Sequence, residues 1–530
     1  MLTRHWTFRR AFGLAGETRC ALGVPVCWSQ LTYPPPMIDL KQLREHPQRF
    51  KDGAAKKNME VQIDRLLRLD EERRAALTQL ESKRAERGKI DKELGPQMGK
   101  LRAELKKAEA AGPGEAATTQ VIQQQLDLLR AKPAALKEEI AQLEGVVTRL
   151  EPEVTSILLT IPLPPDADVP VGAGSEDNVE VSRWSPPGAP SAGAGVTAGF
   201  DLSKPFAAQR GFKPKGHIQL CKDLNLVDFP RGVKMAGTRS YVLTGMGFLL
   251  HQAVTRYAFD FMVHQHGFTP MSVPVLVREE AMIGTGFFPA GREQAYHIAE
   301  SQRQNADATS HAEASTSNDL YLTGTGEVGL MALHMDEIID EAKLPLKYVT
   351  VSPCFRREAG AAGKDTAGLY RVHMFDKVEQ VVICKADEQE SRAWHKKMIG
   401  FVEGLLQNLK LPYRLLQCCT GDLGVKNADM IDIECWMPGR GEVSADGGTA
   451  GDFGETHSAS RLYDYQCRRL NLRYKAADSK GTTFCHSLNN TVAASPRLMI
   501  PILEMYQQAD GSVVIPEVLR PYMGGRERIG

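Results

Sequence analysis

"FRREAGAAGKDTAGLYRVHMFDKVEQVVI", residues 355–383, is the stretch on which the reading of this chain turns. Two extended segments rich in β-branched and aromatic residues flank a loop of Gly, Ala, Asp and Lys364. Residues 371–383 alternate as a strand does, so Arg371, Phe375 and Glu379 fall on one face at steps of four. Arg356 and Glu358 share parity on the preceding segment, which predicts a second strand beside the first. The resulting surface carries two guanidiniums, an aromatic ring and two carboxylates. Isolated buried charges are costly, so such a face is either an ion-pair network or a binding site. Five groups with an aromatic between them suit a zwitterion and a nucleotide. Guanidiniums grip phosphate or carboxylate in bidentate fashion, Phe375 stacks a base, and Glu379 receives an ammonium.

Two neighbouring stretches extend that site. "LYLTGTGEVGLMALH" (320–334) places Thr325 and Glu327 at the mouth of a Gly-rich turn before an amphipathic helix. In "NNTVAASPRLMIPILEMYQQ" (489–508), Ser495 is predicted to cap a helix that begins at Pro496. Arg497 would then sit in the first turn, where the helix dipole repels a cation unless an anion is held there. From about Lys213 to Gly530, helical and strand patterns mix in an α+β arrangement. The polar run 301–318 reads as a disordered surface insertion, and residues 440–453 as a second flexible excursion.

Ahead of this body, Leu94, Met98, Leu101, Leu105 and Ala108 recur at alternating steps of four and three. Gly112, Pro113 and Gly114 break the pattern. It resumes with Leu136, Ile140, Leu143, Val147, Leu150, Val154 and Ile157, with Pro133 marking a kink or restart. Two heptad runs joined by a tight turn predict an antiparallel helical hairpin over about 60–157, roughly 70 Å long at ~1.5 Å per residue. A hairpin has already paired its own seam. Its outer face, with "KRAERGK", "KLRAELKK" and "LRAK", offers basic side chains to a long polyanion. The Pro/Gly-rich stretch 161–212 connects arm and body.

The 530 residues are 42% hydrophobic and 25% charged with zero formal net charge, so nucleic-acid contact must come from local basic surface. No apolar run approaches the ~20 residues of a membrane span. Ten cysteines without a CxxC pair argue against a disulfide framework or zinc site and for a reducing compartment. Residues 1–36 hold Arg4, Arg9, Arg10 and Arg19 against one acid, Glu17. An upstream start is the preferred reading, because "MIDLKQLREHP" from Met37 has the character of an N-terminus. An organelle transit peptide is the alternative, and it would change the expected location from cytoplasm to organelle.

Taken together, these motifs resemble seryl-tRNA synthetase, a class II aminoacyl-tRNA synthetase, over essentially Met37 to Gly530. "GFTPMSVPVLV" is similar to the class's first motif, with Pro274 at a homodimer interface. Residues 355–380 resemble the second motif in its seryl form, and "NNTVAASPRLMIPILE" the third. "VLRPYMGG" resembles the family's C-terminal end. The resemblance implies an antiparallel sheet flanked by helices, preceded by a tRNA-binding domain over 37–160. It assigns Arg356 to the serine carboxylate and ATP α-phosphate, Glu358 to ATP and Arg371 to the γ-phosphate side. Val372 and Phe375 would hold adenine; Thr325, Glu327, Glu379 and Thr491 would line the serine pocket. Glu455 and Ser458 of "GETHS" match ATP and Mg²⁺ positions, and Arg497 the third-motif arginine.

Gly326 stands where the family usually has Ala, Thr491-Val492 where it has Ser-Gly or Ser-Ala, and both inserts are unusual. The implied reaction makes seryl-adenylate from L-serine and ATP and transfers the seryl group to tRNA(Ser), and also to tRNA(Sec). A ligase loading a small amino acid onto a carrier protein and a catalytically dead coiled-coil RNA-binding paralogue are the rival readings.

Overall fold

The computed structural model describes residues 38–112, 114, 116–188, 197, 199–298, 319–360, 367–442 and 449–530. The segment 1–36, Lys364, the insert 301–318 and residues 443–448 of the second excursion lie outside the described residues.

The heptads fold as predicted. After two short helices, α1 (Leu40–Glu45) and α2 (Pro47–Lys56), the long α3 (Ile63–Ala110) and α4 (Ala116–Thr160) pack against each other. Leu94, Met98, Leu101, Leu105 and Ala108 are half-buried, and Leu136, Ile140, Leu150, Val154 and Ile157 are buried. The chain does not restart at Pro133: α4 runs through it, because packing along the seam sustains the helix past one missing N–H. Cross-helix pairs such as Arg84–Glu144 (2.7 Å) and Lys83–Glu139 (2.7 Å) are exposed and add little stability each. At the arm's base, Ile63, Leu66, Val154 and Ile157 join Ile38, Leu43 and Phe50 in a core of their own.

Eight strands build the main sheet: β1 (Val179–Trp184), β2 (Thr269–Met271), β3 (Leu346–Phe355), β4 (Met374–Cys384), β5 (Tyr413–Gln417), β6 (Asp429–Met437), β7 (Asp452–Tyr463) and β8 (His486–Ser495). Their order is β1-β5-β6-β7-β8-β4-β3-β2, antiparallel except for the β2–β3 pair. The connecting segment 161–212 thus supplies an edge strand, and β7 starts inside the predicted excursion 440–453. Within its described residues, the Gly451 N–H donates to the Arg440 carbonyl (3.0 Å).

β6 alternates buried and half-buried residues, whereas β8 and the C-terminal part of β4 are buried on both faces, as central strands must be. Helices α5 (Gly245–Asp260), α6 (Glu327–Ala332), α7 (Glu388–Asn408) and α8 (Met499–Tyr506) flank the sheet. Leu250 and Val254 of α5, Met398, Val402 and Leu405 of α7, and Ile502 and Leu503 of α8 form its main core. All eight described cysteines are free and buried. No described helix is long and apolar enough to cross a membrane.

Candidate active site

On β4 the odd-numbered side chains Phe375, Lys377 and Glu379 line one cleft. β8 runs antiparallel beside it, with Glu379 opposite Thr491 and Lys377 opposite Ala494. A bulge at Val378/Glu379 shifts the register between those two pairs, so that all four residues line the cleft. Across it lie Thr325, Glu327, Arg356, Glu358, Arg371, Val372, Glu455, Ser458 and Arg497. Every site residue predicted from the sequence lines this cleft except Pro274, which lies outside it in the exposed link between β2 and Leu276–Arg278.

Several of these residues arrive by routes other than those expected. Arg356 and Glu358 are not on a strand: β3 ends at Phe355, opposite Met374, and Glu358 turns into the left-handed region (φ 49°). Arg371 likewise precedes β4, because that ladder has no partner before Met374. The loops nevertheless bring the charges together, with Arg371 Nη1 3.5 Å from Glu358 Oε2 and the Arg356 guanidinium 5.4 Å from the Phe375 ring centroid.

Ser495 does not cap a helix. It ends β8, and His251 bridges its Oγ (2.7 Å) to Asp376 Oδ2 (2.9 Å). α8 starts only at Met499, so Arg497 lies ahead of the helix and not in its first turn. Arg497 is instead held by Tyr370, donating to its carbonyl (3.2 Å) with the guanidinium 4.6 Å from the ring centroid. It also pairs with Glu455 Oε1 at 3.4 Å.

The charges around Glu379 and Glu327 alternate. Glu379 is 2% exposed, accepts from Thr325 Oγ1 (3.2 Å) and pairs with Lys377. Burial pushes its carboxyl up, and the Lys377 ammonium pulls it back. Glu327 opens α6 and takes Lys426 Nζ at 2.8 and 2.7 Å and Gln466 Nε2 at 2.7 Å. Lys426 also sits 4.0 Å from the Phe287 ring centroid, and burial lowers its pKa against the pull of Glu327. Gly326 has a packing reason: a Cβ there would stand 2.5 Å from Thr350 Cγ2.

The sequence reading missed Lys377, Lys426, Asn427, Phe287 and Gln466. Lys377 could have been found, since it shares parity with Phe375 and Glu379. The others come from loops and a short helix without periodicity.

Glu455 and Ser458, the residues matched to Mg²⁺, offer a carboxylate and a hydroxyl. Beside Ser458, Asp432 keeps Oδ1 buried without a hydrogen-bond partner, and burial raises its carboxyl well above the usual range. Such a set of hard oxygen donors fits a magnesium ion.

Comparison with known proteins agrees with this geometry. The family described as "Seryl-tRNA synthetase N-terminal domain" matches residues 37–165, and "tRNA synthetase class II core domain (G, H, P, S and T)" matches residues 311–506. The serine–tRNA ligase of Deinococcus radiodurans is 36% identical over 494 residues, 93% of this chain and 99% of that protein. Among solved structures, seryl-tRNA synthetase from Pyrococcus horikoshii complexed with ATP is similar at TM-score 0.72 and 35% identity, covering 93% of this chain and 99% of that one. The cytoplasmic serine–tRNA ligase of Naegleria fowleri in complex with AMP gives TM-score 0.69 at 29% identity, covering 91% and 95%. A helical hairpin followed by an antiparallel sheet with a charged cleft, and relatedness along nearly the whole length, lead to one family: this chain belongs to the seryl-tRNA synthetases.

Proposed function

We propose that the chain is a serine–tRNA ligase that uses ATP to make seryl-adenylate and then charges tRNA(Ser), with tRNA(Sec) as a second acceptor. The observation that carries this reading is the convergence of the motif residues on one cleft in a member of this family. Arg356 takes the serine carboxylate and the α-phosphate, orienting the two reacting groups and absorbing charge that builds on the phosphoryl oxygens. Glu358 and Arg371 hold the triphosphate, with Arg371 toward its γ end. Phe375, Val372 and Arg497 enclose adenine, and Arg497 is pre-set on Tyr370. Thr325, Glu327, Glu379 and Thr491 line the serine pocket, where Thr325, Glu379 and Thr491 receive the ammonium and hydroxyl and Glu327 stays paired with Lys426. A site built to hydrogen-bond a hydroxyl rejects alanine strongly, because the analogue leaves buried polar groups unpaired. Mg²⁺ held at Glu455 and Ser458 would neutralise phosphate charge.

In this reading residues 37–160 bind tRNA, 161–212 connect, and 213–530 catalyse. The exposed basic face of the α3–α4 arm meets tRNA by shape, since A-form RNA presents mainly backbone and 2′-hydroxyls. Two copies associate through the edge that carries Pro274, and the cytoplasm is the expected location. The arm disfavours a carrier-protein substrate. Intact charge around the cleft disfavours a dead paralogue.

Amino-acid-dependent ATP–pyrophosphate exchange followed by charging of tRNA(Ser) tests the proposal. Serine-dependent exchange and charging are expected. Exchange without charging would point to the carrier ligase, and no exchange with any amino acid would overturn the catalytic reading.

A further inference from the structure

The amino-acid end of the cleft contains two carboxylates, and each already has a lysine. Glu379 holds Lys377, and Glu327 holds Lys426 through both oxygens (2.8 and 2.7 Å) with Gln466 adding a third bond at 2.7 Å. The two pairs feel one another, since Glu327 raises the Glu379 carboxyl and Glu379 in turn favours the charged form of Lys426. They differ in how firmly they are held. Lys377 lies on β4 with one carboxylate partner. Lys426 is seated on the Phe287 ring at 4.0 Å, and its Cβ lies 3.4 Å from where a Cβ on Gly286 would stand. Glu327 is 2% exposed and its charge is already matched by Lys426, with two bonds accepted on Oε1 and one on Oε2, so an incoming ammonium would meet a neutralised carboxylate or have to break a buried ion pair.

We propose that Lys426 is a specificity-determining residue: by neutralising Glu327 it directs the substrate ammonium to Glu379, and it closes this end of the pocket with an ion pair that an extra methyl group cannot displace. The inference rests on the reading of the cleft as a serine site, and it concerns a residue that none of the recognised motifs contains. Removing the ammonium alone would leave Glu327 charged and buried with only the neutral Gln466 amide as partner, a second acceptor that competes for the substrate amine in the wrong place. Removing both charges together would restore a neutral wall.

The test is ATP–pyrophosphate exchange by the full-length protein, with serine, threonine and ATP each varied, for wild type, Lys426→Met, Lys426→Arg and the double variant Lys426→Met with Glu327→Gln. Lys426→Met should raise the serine KM about tenfold or more while leaving the ATP KM within about twofold, the split expected when one substrate's binding is altered. Its preference for serine over threonine should fall about tenfold, Lys426→Arg should retain most of that preference, and the double variant should recover the serine KM to within about threefold of wild type. A residue that only supports folding would shift both KM values and the melting temperature, and the second substitution would not rescue it. The inference is overturned if Lys426→Met keeps the wild-type serine KM and threonine rejection, if it weakens ATP and serine equally, or if the double variant shows no recovery. A wild-type protein without serine-dependent exchange would instead sink the underlying serine-site reading, so the two failures are distinguishable.

Discussion

Glu379 stands opposite Thr491 on the neighbouring strand and touches Thr325, so one carboxylate serves three elements of the site. Replacing it by Ala removes the acceptor for an ammonium and strands Lys377 in a buried position. We expect Glu379→Ala to lower serine-dependent pyrophosphate exchange by about 100-fold or more, since truncating one partner of a buried charge pair between protein and ligand costs roughly 2–5 kcal/mol of binding. Far-UV circular dichroism should remain native, because the sheet is anchored by its strand pairing and by the main core. Wild-type exchange rates in this variant would refute the assignment. At this scale the sequence was informative where chemistry and parity coincide: Phe375 and Glu379 could be placed on one face from their spacing alone. It was silent about Lys426 and Gln466, which reach Glu327 from segments distant in the chain, and no local period marks such a meeting. Arg356, Glu358 and Arg371 were placed on strands that stop short of them. Hydrogen-bonding partners end a ladder, and partners cannot be read from one strand.

The arm was the most legible element, because a heptad is a long and redundant signal; of the two readings of Pro133 only the restart is excluded, because tertiary packing prevails there over the local rule. Its basal core with α1 and α2 dictates how the arm should be tested. Excising 77–147 and closing the gap with a short Gly/Ser turn keeps Ile63, Leu66, Val154 and Ile157 in place. That variant should retain adenylate formation within about threefold and lose tRNA charging by a factor of roughly 100 or more, because each lost phosphate contact removes released counterions. Normal charging efficiency would give the arm another job.

The same N-terminal region is tied to the catalytic body by Lys57, which is 3% exposed and donates to the carbonyls of Gly424 (2.9 Å) and Asn427 (2.6 Å), on either side of Lys426. Burial lowers its pKa from 10.5 to about 7, against the pull of Asp166. A depressed folded pKa means that the unfolded chain binds more protons between pH 7 and 10.5. This contribution to stability is therefore fully present above about 10.5 and is lost progressively as pH falls to about 7. Between pH 7 and pH 9, urea titration should show wild type gaining about 2 kcal/mol relative to Lys57→Met. Parallel pH profiles for the two proteins would show that Lys57 does not titrate in this window.

Across the whole molecule, the fold class was readable from mixed periodicities, yet the strand order was not, since β1 and β8 join the same sheet from positions about three hundred residues apart. The burial of the described cysteines has a consequence for their chemistry. Burial pushes the thiols of Cys221, Cys384, Cys435 and Cys485 up to about 12, which leaves almost no thiolate at neutral pH. Iodoacetamide should therefore modify these four positions only when the body opens, and mass spectrometry should find their labelling times equal and lengthened together by bound ATP. Early modification of any one of them would expose a locally loose seam. Otherwise the chain carries its own clock for global opening, spread through the core and silent while the protein is folded.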